Sequence, residues 1–252
     1  MNFQERKKLI LAAIRQAGSL TVFQLAEKLG TSTATIRRDL HDISAEGLLL
    51  RTHGGAMQPD MQPLTAFIEK AGVRDSEKDR IARLAAGFVQ EGDTLFLDCG
   101  STVYKMCRYL KGVDNIRIVT NSIPVLAAFV DAPGIQINLV GGEIDKKRLA
   151  AHGLKAIEHI SSYHADKAFI GVDGISPETG LTAHSEHEAS ITSAFIAHAR
   201  ENFLLCDSSK IGRDSYLRFA GVEVITTLVT DSEADVTSRQ HLTEKGVRIL
   251  LA

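Results

Sequence analysis

Five segments of this chain set small, polar or charged residues directly after an apolar run: Asp98-Cys99-Gly100-Ser101-Thr102, Thr120-Asn121-Ser122, Gly141-Gly142-Glu143, Gly171-Val172-Asp173-Gly174 and Asp207-Ser208-Ser209-Lys210. Each run reads as a strand, so these residues fall at strand ends, where open parallel sheets bind ligands. Gly100 lets a ligand approach the backbone. Ser101 and Thr102 offer hydroxyls at the start of a helix, a position that favours an anion. Lys210 is a natural counter-charge for phosphate, while Asp98, Asp173 and Glu188 can accept hydrogen bonds from sugar hydroxyls. Converged on one pocket, such groups suit a phosphorylated sugar or polyol. Taken alone, the first segment is as readily a turn with helix caps.

The same residue types permit other chemistry. Asp98, Asp173, Glu188 and Lys210 could supply the carboxylate base and proton donor of a sugar-phosphate isomerase. An enzyme-like fold does not bring activity with it, and a sensor that consumed its ligand would erase its own signal. The expectation is a non-enzyme with no catalytic residue and no cofactor. Cys99 stands at a helix start, where a thiolate is favoured, but no histidine partner is evident from the sequence. His184, His187 and His198 form no tight ligand motif, so no metal is expected. The repeated glycines of a dinucleotide fingerprint are missing from the first loop.

The elements that must position these residues alternate. Ile81, Leu84, Ala85, Phe88 and Val89 follow helical spacing and predict a helix with one buried face. Strands are expected at 94–98, 116–120, 135–140, 167–172, 203–207, 224–230 and 247–251, with helices at 103–110, 123–130, 153–162, 186–200 and 237–245. Most strand runs are continuously apolar, as in strands covered on both faces. The alternation predicts an α/β domain with a mainly parallel sheet.

Before this body lies a helical head. Leu9, Ile10, Ala13, Ile14 and Ala17 stripe one helix, and Gly18 stops it. Thr21 with Gln24 forms a capping box for a second helix, which ends at Gly30. Thr31 or Ser32 can cap a third, running to about Ala45. This is helix-turn-helix order. At about 100° per residue, Ile36, Leu40 and Ile43 share the core face, Ala34, Arg38 and His41 point away, and Thr35 and Arg37 flank them. Small Thr33, Ala34 and Thr35 let the helix sit close to base edges, and Arg37 and Arg38 can bind phosphate or guanine. A strand at 48–52 and a turn at 53–55 form a wing that carries Arg51 and His53. Outside this context, two surface arginines would be merely a solvated helix face.

Composition agrees with such a division. The 252 residues carry a net charge of −2, but residues 1–56 hold eight Lys/Arg against five Asp/Glu, and the remainder holds 21 against 26. A basic head on an acidic body suggests that the head meets a polyanion. Two of the five prolines fall in 57–63, which marks a domain boundary. The division expected is a DNA-binding domain at 1–57, a linker at 58–75 and an effector domain at 76–252. Three scattered cysteines argue against a disulfide scaffold. No apolar run spans a bilayer, and no signal peptide is visible. A cytoplasmic protein is expected.

Thr35-Ile36-Arg37-Arg38-Asp39-Leu40, followed by Arg51-Thr52-His53-Gly54-Gly55-Ala56, resembles the DeoR family of bacterial transcriptional regulators. The resemblance covers nearly the whole chain. It implies a winged helix-turn-helix, repression of sugar-metabolism genes, and an effector domain related to ribose-5-phosphate isomerase. Asp98, Gly100, Ser101, Thr102, Asn121, Gly141, Gly142, Glu143, Asp173, Gly174, Glu188, Asp207 and Lys210 match the family's sensor motifs. The segment 146–153 departs from the Gly-rich stretch often found there. Expected partners are a double-stranded DNA operator and a small phosphorylated sugar, with no membrane. The chain is expected to form a homodimer, as a reader of two half-sites should, or the homotetramer that the resemblance makes plausible.

Overall fold

Three amphipathic helices bury one another's stripes in the N-terminal part of the chain. The structure is a computed structural model that describes residues 3–17, 19–45, 49–52, 54–57 and 72–252. Its contacts divide the chain into two units, Met1–Gln62 and Pro63–Ala252. Most of the expected linker, residues 58–71, lies outside the described residues.

In the first unit, α1 (Phe3–Ala17), α2 (Val22–Leu29) and α3 (Thr33–Ala45) pack through Ile10, Ile14, Leu25, Ile36, Leu40 and Ile43. The capping box forms: the Gln24 N–H donates to Thr21 Oγ1 at 3.2 Å, and the Thr21 N–H to Gln24 Oε1 at 2.9 Å. Gly30, at φ 59°, ends α2. Ser32 rather than Thr31 caps α3, accepting the Thr35 N–H at 3.1 Å. The expected strand is β2 (Leu50–Thr52), in an antiparallel sheet of order β1-β3-β2 with β1 (Ser19–Thr21) and β3 (Gly55–Met57). β1 was not expected. Gly55 is required by it, because a Cβ there would lie 2.2 Å from the Leu20 carbonyl oxygen.

The second unit is built on β4 (Thr94–Leu97), β5 (Ile116–Thr120), β6 (Ile135–Leu139), β9 (Ala165–Ile170), β12 (Ala199–Leu205), β14 (Thr227–Thr230) and β15 (Arg248–Leu251). They form one parallel sheet in the order β15-β14-β12-β9-β4-β5-β6. Successive residues alternate between two cores. Phe96, Ile170, Leu204 and Leu228 face α8 (Leu154–Ile160), α9 (Glu186–Ala197) and α10 (Val236–Glu244). Leu97, Ile118, Phe169 and Phe203 face α4 (Asp75–Ala86), α5 (Ser101–Lys105), α6 (Cys107–Leu110) and α7 (Ile123–Phe129). Each such buried side chain contributes roughly 1.5–3 kcal/mol.

The chain steps outward from β4 through β5 to β6, then returns to β9 beside β4 and steps the other way. The switch point therefore lies between β4 and β9, where a doubly wound sheet opens a crevice. Asp98 closes that pair: its N–H donates to the Phe169 carbonyl, and its Oδ2 accepts the Gly171 N–H, both at 3.1 Å.

Several boundaries differ from expectation, and the strand expected at 224–230 shortens to β14 because Val222–Val224 forms a 3-10 turn. β9 and β12 end at Ile170 and Leu205, two residues early, which moves Asp207 from the expected strand into a loop. The helix expected at 103–110 breaks at Met106 into α5 and α6, and that at 186–200 stops at Ala197 because Ala199 enters β12. Two small sheets were not expected: the hairpin β7 (Glu143–Asp145)–β8 (Ala150–His152), and an antiparallel sheet of β10 (Gly174–Ser176), β11 (Gly180–Ala183) and β13 (Leu217–Ala220).

Candidate functional site

A cavity of about 480 Å³ opens at the carboxyl ends of the central strands. Of the residues expected at an effector site, Asp98, Gly100, Ser101, Thr102, Asp173, Glu188, Asp207 and Lys210 line it. Ser101 starts α5, and its hydroxyl accepts a hydrogen bond from Lys78 Nζ at 3.1 Å. Lys78 comes from α4 and is only 6% exposed. With α5 only five residues long, the positive charge of this wall rests on Lys78 rather than on a helix terminus. Lys210 ends a 3-10 turn, Ser208–Lys210, capped by Asp207, which accepts the Ser209 N–H at 3.1 Å and also the Ser209 hydroxyl. Arg74 braces the same turn, donating to Ser208 Oγ at 2.8 Å and to Glu233 at 3.1 Å.

Asn121, Gly141, Gly142, Glu143 and Gly174 do not line the cavity, and the structure gives each another role. Asn121 is fully buried and holds β8: its Nδ2 donates to the Ala151 carbonyl at 3.2 Å, and its main-chain carbonyl accepts the Ala151 N–H at 2.8 Å. Gly141 donates to His159 Nδ1 at 3.2 Å. Gly142 is fixed by packing, since a Cβ there would lie 2.5 Å from the His152 carbonyl oxygen. Glu143 is exposed and pairs with His152 in the hairpin register. A Cβ on Gly174 would lie 2.4 Å from the Arg213 carbonyl oxygen.

Lys78, Arg148, His152 and Thr192 also line the cavity and were not anticipated. Lys78 sits three residues before Ile81 on the buried stripe of α4, and a lysine on an apolar stripe is a signal that could have found it. Arg148 lies in the segment that departs from the family pattern. Asp145 Oδ1 shapes its turn by accepting the Lys147 and Arg148 N–H groups at 2.7 and 3.2 Å. The Arg148 guanidinium pairs with Glu188 and lies 3.7 Å from Asp173 Oδ2.

This arrangement binds better than it catalyses. Both Asp98 oxygens accept main-chain N–H groups, from Cys99 at 2.6 Å and Gly171 at 3.1 Å. Asp173 and Glu188 lie against Arg148, and Asp173 also accepts the His184 N–H at 3.0 Å. The carboxylates an isomerase would use as a base are thus engaged with the scaffold. Burial, reinforced by Asp98, pushes the Cys99 thiol above its ordinary range, which makes it a poor nucleophile. Among the described residues, no group of three or more His, Cys, Asp or Glu could hold a metal ion.

In the first unit, Ala34, Arg37, Arg38 and His41 are exposed along α3, Thr33 and Thr35 are half-buried, and Ile36, Leu40 and Ile43 are buried. Asp39 turns inward, bound by Arg6 through hydrogen bonds of 2.7 and 3.0 Å. That pair fixes the rotation of α3 and leaves both arginines facing out. Arg51 belongs to β2 by its backbone, and His53 lies outside the described residues.

The family model described as the DeoR C terminal sensor domain matches residues 74–232, and that of the DeoR-like helix-turn-helix domain matches residues 6–62. The HTH-type transcriptional repressor GlcR of Bacillus subtilis (strain 168) is 34% identical, across 98% of this chain and 96% of that protein. The glycerol-3-phosphate regulon repressor of Escherichia coli (strain K12) is 30% identical across 100% of both. The lactose phosphotransferase system repressor of Lactococcus lactis subsp. lactis is 34% identical, across 97% of this chain and 96% of that protein. Among solved structures, ribose 5-phosphate isomerase from Plasmodium falciparum matches at a TM-score of 0.40 and 17% identity, over 54% of this chain and 52% of that one.

Proposed function

The chain belongs to the DeoR family of DNA-binding transcription regulators, and from that premise we propose that it represses genes of sugar or polyol metabolism under the control of a phosphorylated sugar. The observation that carries the effector class is the pair of cations on the cavity wall, Lys78 and Lys210, set among the hydroxyls of Ser101, Thr102 and Ser209. Two ammonium groups with adjacent hydroxyls suit a phosphate dianion. A cavity of about 480 Å³ leaves room for the sugar attached to it.

In this reading, residues 1–57 form the DNA-binding domain, 58–75 the linker and 76–252 the sensor. Thr33, Ala34, Thr35, Arg37, Arg38 and His41 enter or flank the major groove, and Arg51 and His53 reach DNA from the wing. The protein works in the cytoplasm, as a homodimer or homotetramer that reads paired half-sites. The effector acts by binding more tightly to one of two arrangements of the assembly.

A double dissociation tests this division of labour. Arg38→Ala should weaken operator binding by about 1–3 kcal/mol and leave sugar-phosphate binding intact. Lys210→Ala should blunt the effector response and spare operator affinity. Parallel loss of both activities in either variant would contradict the assignment.

A further inference from the structure

The hairpin β7–β8 delivers a histidine to the cavity wall. His152 ends β8, is 4% exposed and lines the cavity, yet neither ring nitrogen makes a hydrogen bond of ordinary geometry, and the His187 main chain is only a weak, longer-range partner. Buried polar groups are nearly always paired, and an exception calls for a partner or a function. The groups around it are already engaged. Asp98 accepts two main-chain N–H groups, and Arg148 holds Glu188 and lies near Asp173. Asn121 Nδ2 holds the main chain of β8 at Ala151, although its buried Oδ1 has no hydrogen bond of ordinary geometry. The His187 ring stands edge-on to His152 at 6.4 Å, too far for a direct hydrogen bond. Among the described lining residues, His152 is the one whose buried polar atoms have no hydrogen bond of ordinary geometry.

We propose that His152 reads a hydroxyl of the bound ligand, and so determines which phosphorylated sugar or polyol the sensor accepts. This rests on the sugar-phosphate reading of the cavity and extends it from the phosphate to the sugar. Burial outweighs the opposing pull of the His187 main chain, Asp145 and Asp98 and holds the imidazole below its ordinary pKa. The ring is therefore neutral near pH 7, with one N–H and one lone pair. A hydroxyl also donates and accepts, so the two are matched, whereas phosphate is better served by the lysines. A site built to hydrogen-bond a hydroxyl rejects an analogue that lacks it far more strongly than an apolar wall would.

The test uses the full chain and calorimetry with inorganic phosphate, glycerol 3-phosphate, ribose 5-phosphate, and the 6-phosphates of glucose, fructose and galactose. Wild type, His152→Leu and His152→Gln are compared. The leucine variant should bind the preferred sugar phosphate about 10- to 100-fold more weakly, keep the wild-type affinity for inorganic phosphate, and melt no lower than wild type. The glutamine variant should recover part of the lost affinity. If the leucine variant fails to fold, the imidazole nitrogens of wild-type protein are followed by NMR, and the preferred ligand should shift the His152 resonances. Wild-type affinity and ranking in the leucine variant, or unmoved ring resonances at saturation, would overturn the assignment of His152 while leaving the sugar-phosphate reading intact. A wild-type protein that binds nothing in the panel would overturn both.

Discussion

Lys78 and Arg148 divide the chemistry of the cavity between them. Lys78 is buried and donates to the Ser101 hydroxyl, and Arg148 pairs with Glu188 with Asp173 nearby. In the proposed reading the phosphate of the ligand is expected on the Lys78 side of the cavity, away from the two carboxylates beside Arg148. Charge-assisted hydrogen bonds contribute about 1.5–3 kcal/mol, so Lys78→Ala should weaken sugar-phosphate binding by about 10- to 100-fold. Calorimetry should show the same loss with inorganic phosphate, which separates the role of Lys78 from that of His152. Equal affinity in the variant would move the phosphate elsewhere in the cavity. Asp98, Asp173, Asp207 and Lys210 were legible in the sequence because each closes an apolar run. Arg148 and His152 were not, because nothing in Arg148-Leu149-Ala150-Ala151-His152 announces that a hairpin of three-residue strands will bring them to the cavity.

At the scale of elements, two small devices shape the site. The hairpin β7–β8 depends on Gly142, whose missing Cβ admits the His152 carbonyl and the Ala156 side chain. Gly142→Ala forces a shift there, so it should lower the melting temperature and weaken effector binding while leaving effector-free DNA binding unchanged. Unaltered melting and effector affinity would show that the hairpin yields without consequence. The second device is the turn Ser208–Lys210, anchored by Asp231, which accepts the Ser208 N–H at 2.7 Å and the Glu233 N–H at 3.0 Å. Burial opposes the Asp231 charge, but the Ser208 and Glu233 groups and Arg74 overcome it and hold the carboxyl below its ordinary value. A depressed carboxyl stabilises the fold above its unfolded pKa, and that contribution is lost as pH falls through the folded one. Stability should thus decline through the acid range, and Asp231→Asn should flatten that decline in denaturant titrations. An acid limb of unchanged slope would remove Asp231 as its source. The long central strands were readable as continuous apolar runs. β7, β8, β10, β11 and β13 span only three or four residues, too little pattern to mark a strand.

At the scale of the whole molecule, the fold gives each function its own core. The helix-turn-helix packs around Ile10, Ile36 and Leu40, and the sensor around its seven-stranded sheet. Among the described residues no helix is long and apolar enough to cross a membrane. Alternation of strand and helix made the parallel sheet legible, and the pause in basic charge after residue 56 made the two-part division legible. The strand order was not, because register and switch point depend on pairings between distant residues such as Leu97 and Phe169. In the proposed function, one phosphorylated sugar changes the grip of the first unit on DNA. This is tested most directly by fluorescence anisotropy with the full chain, on the duplex upstream of its own gene and on a scrambled duplex. Salt is held fixed, because phosphate contacts are salt-driven, and each sugar phosphate of the panel is added in turn. The native duplex should bind more tightly, and one sugar phosphate should change that affinity. Equal affinity for both duplexes, unmoved by every sugar phosphate, would contradict that function.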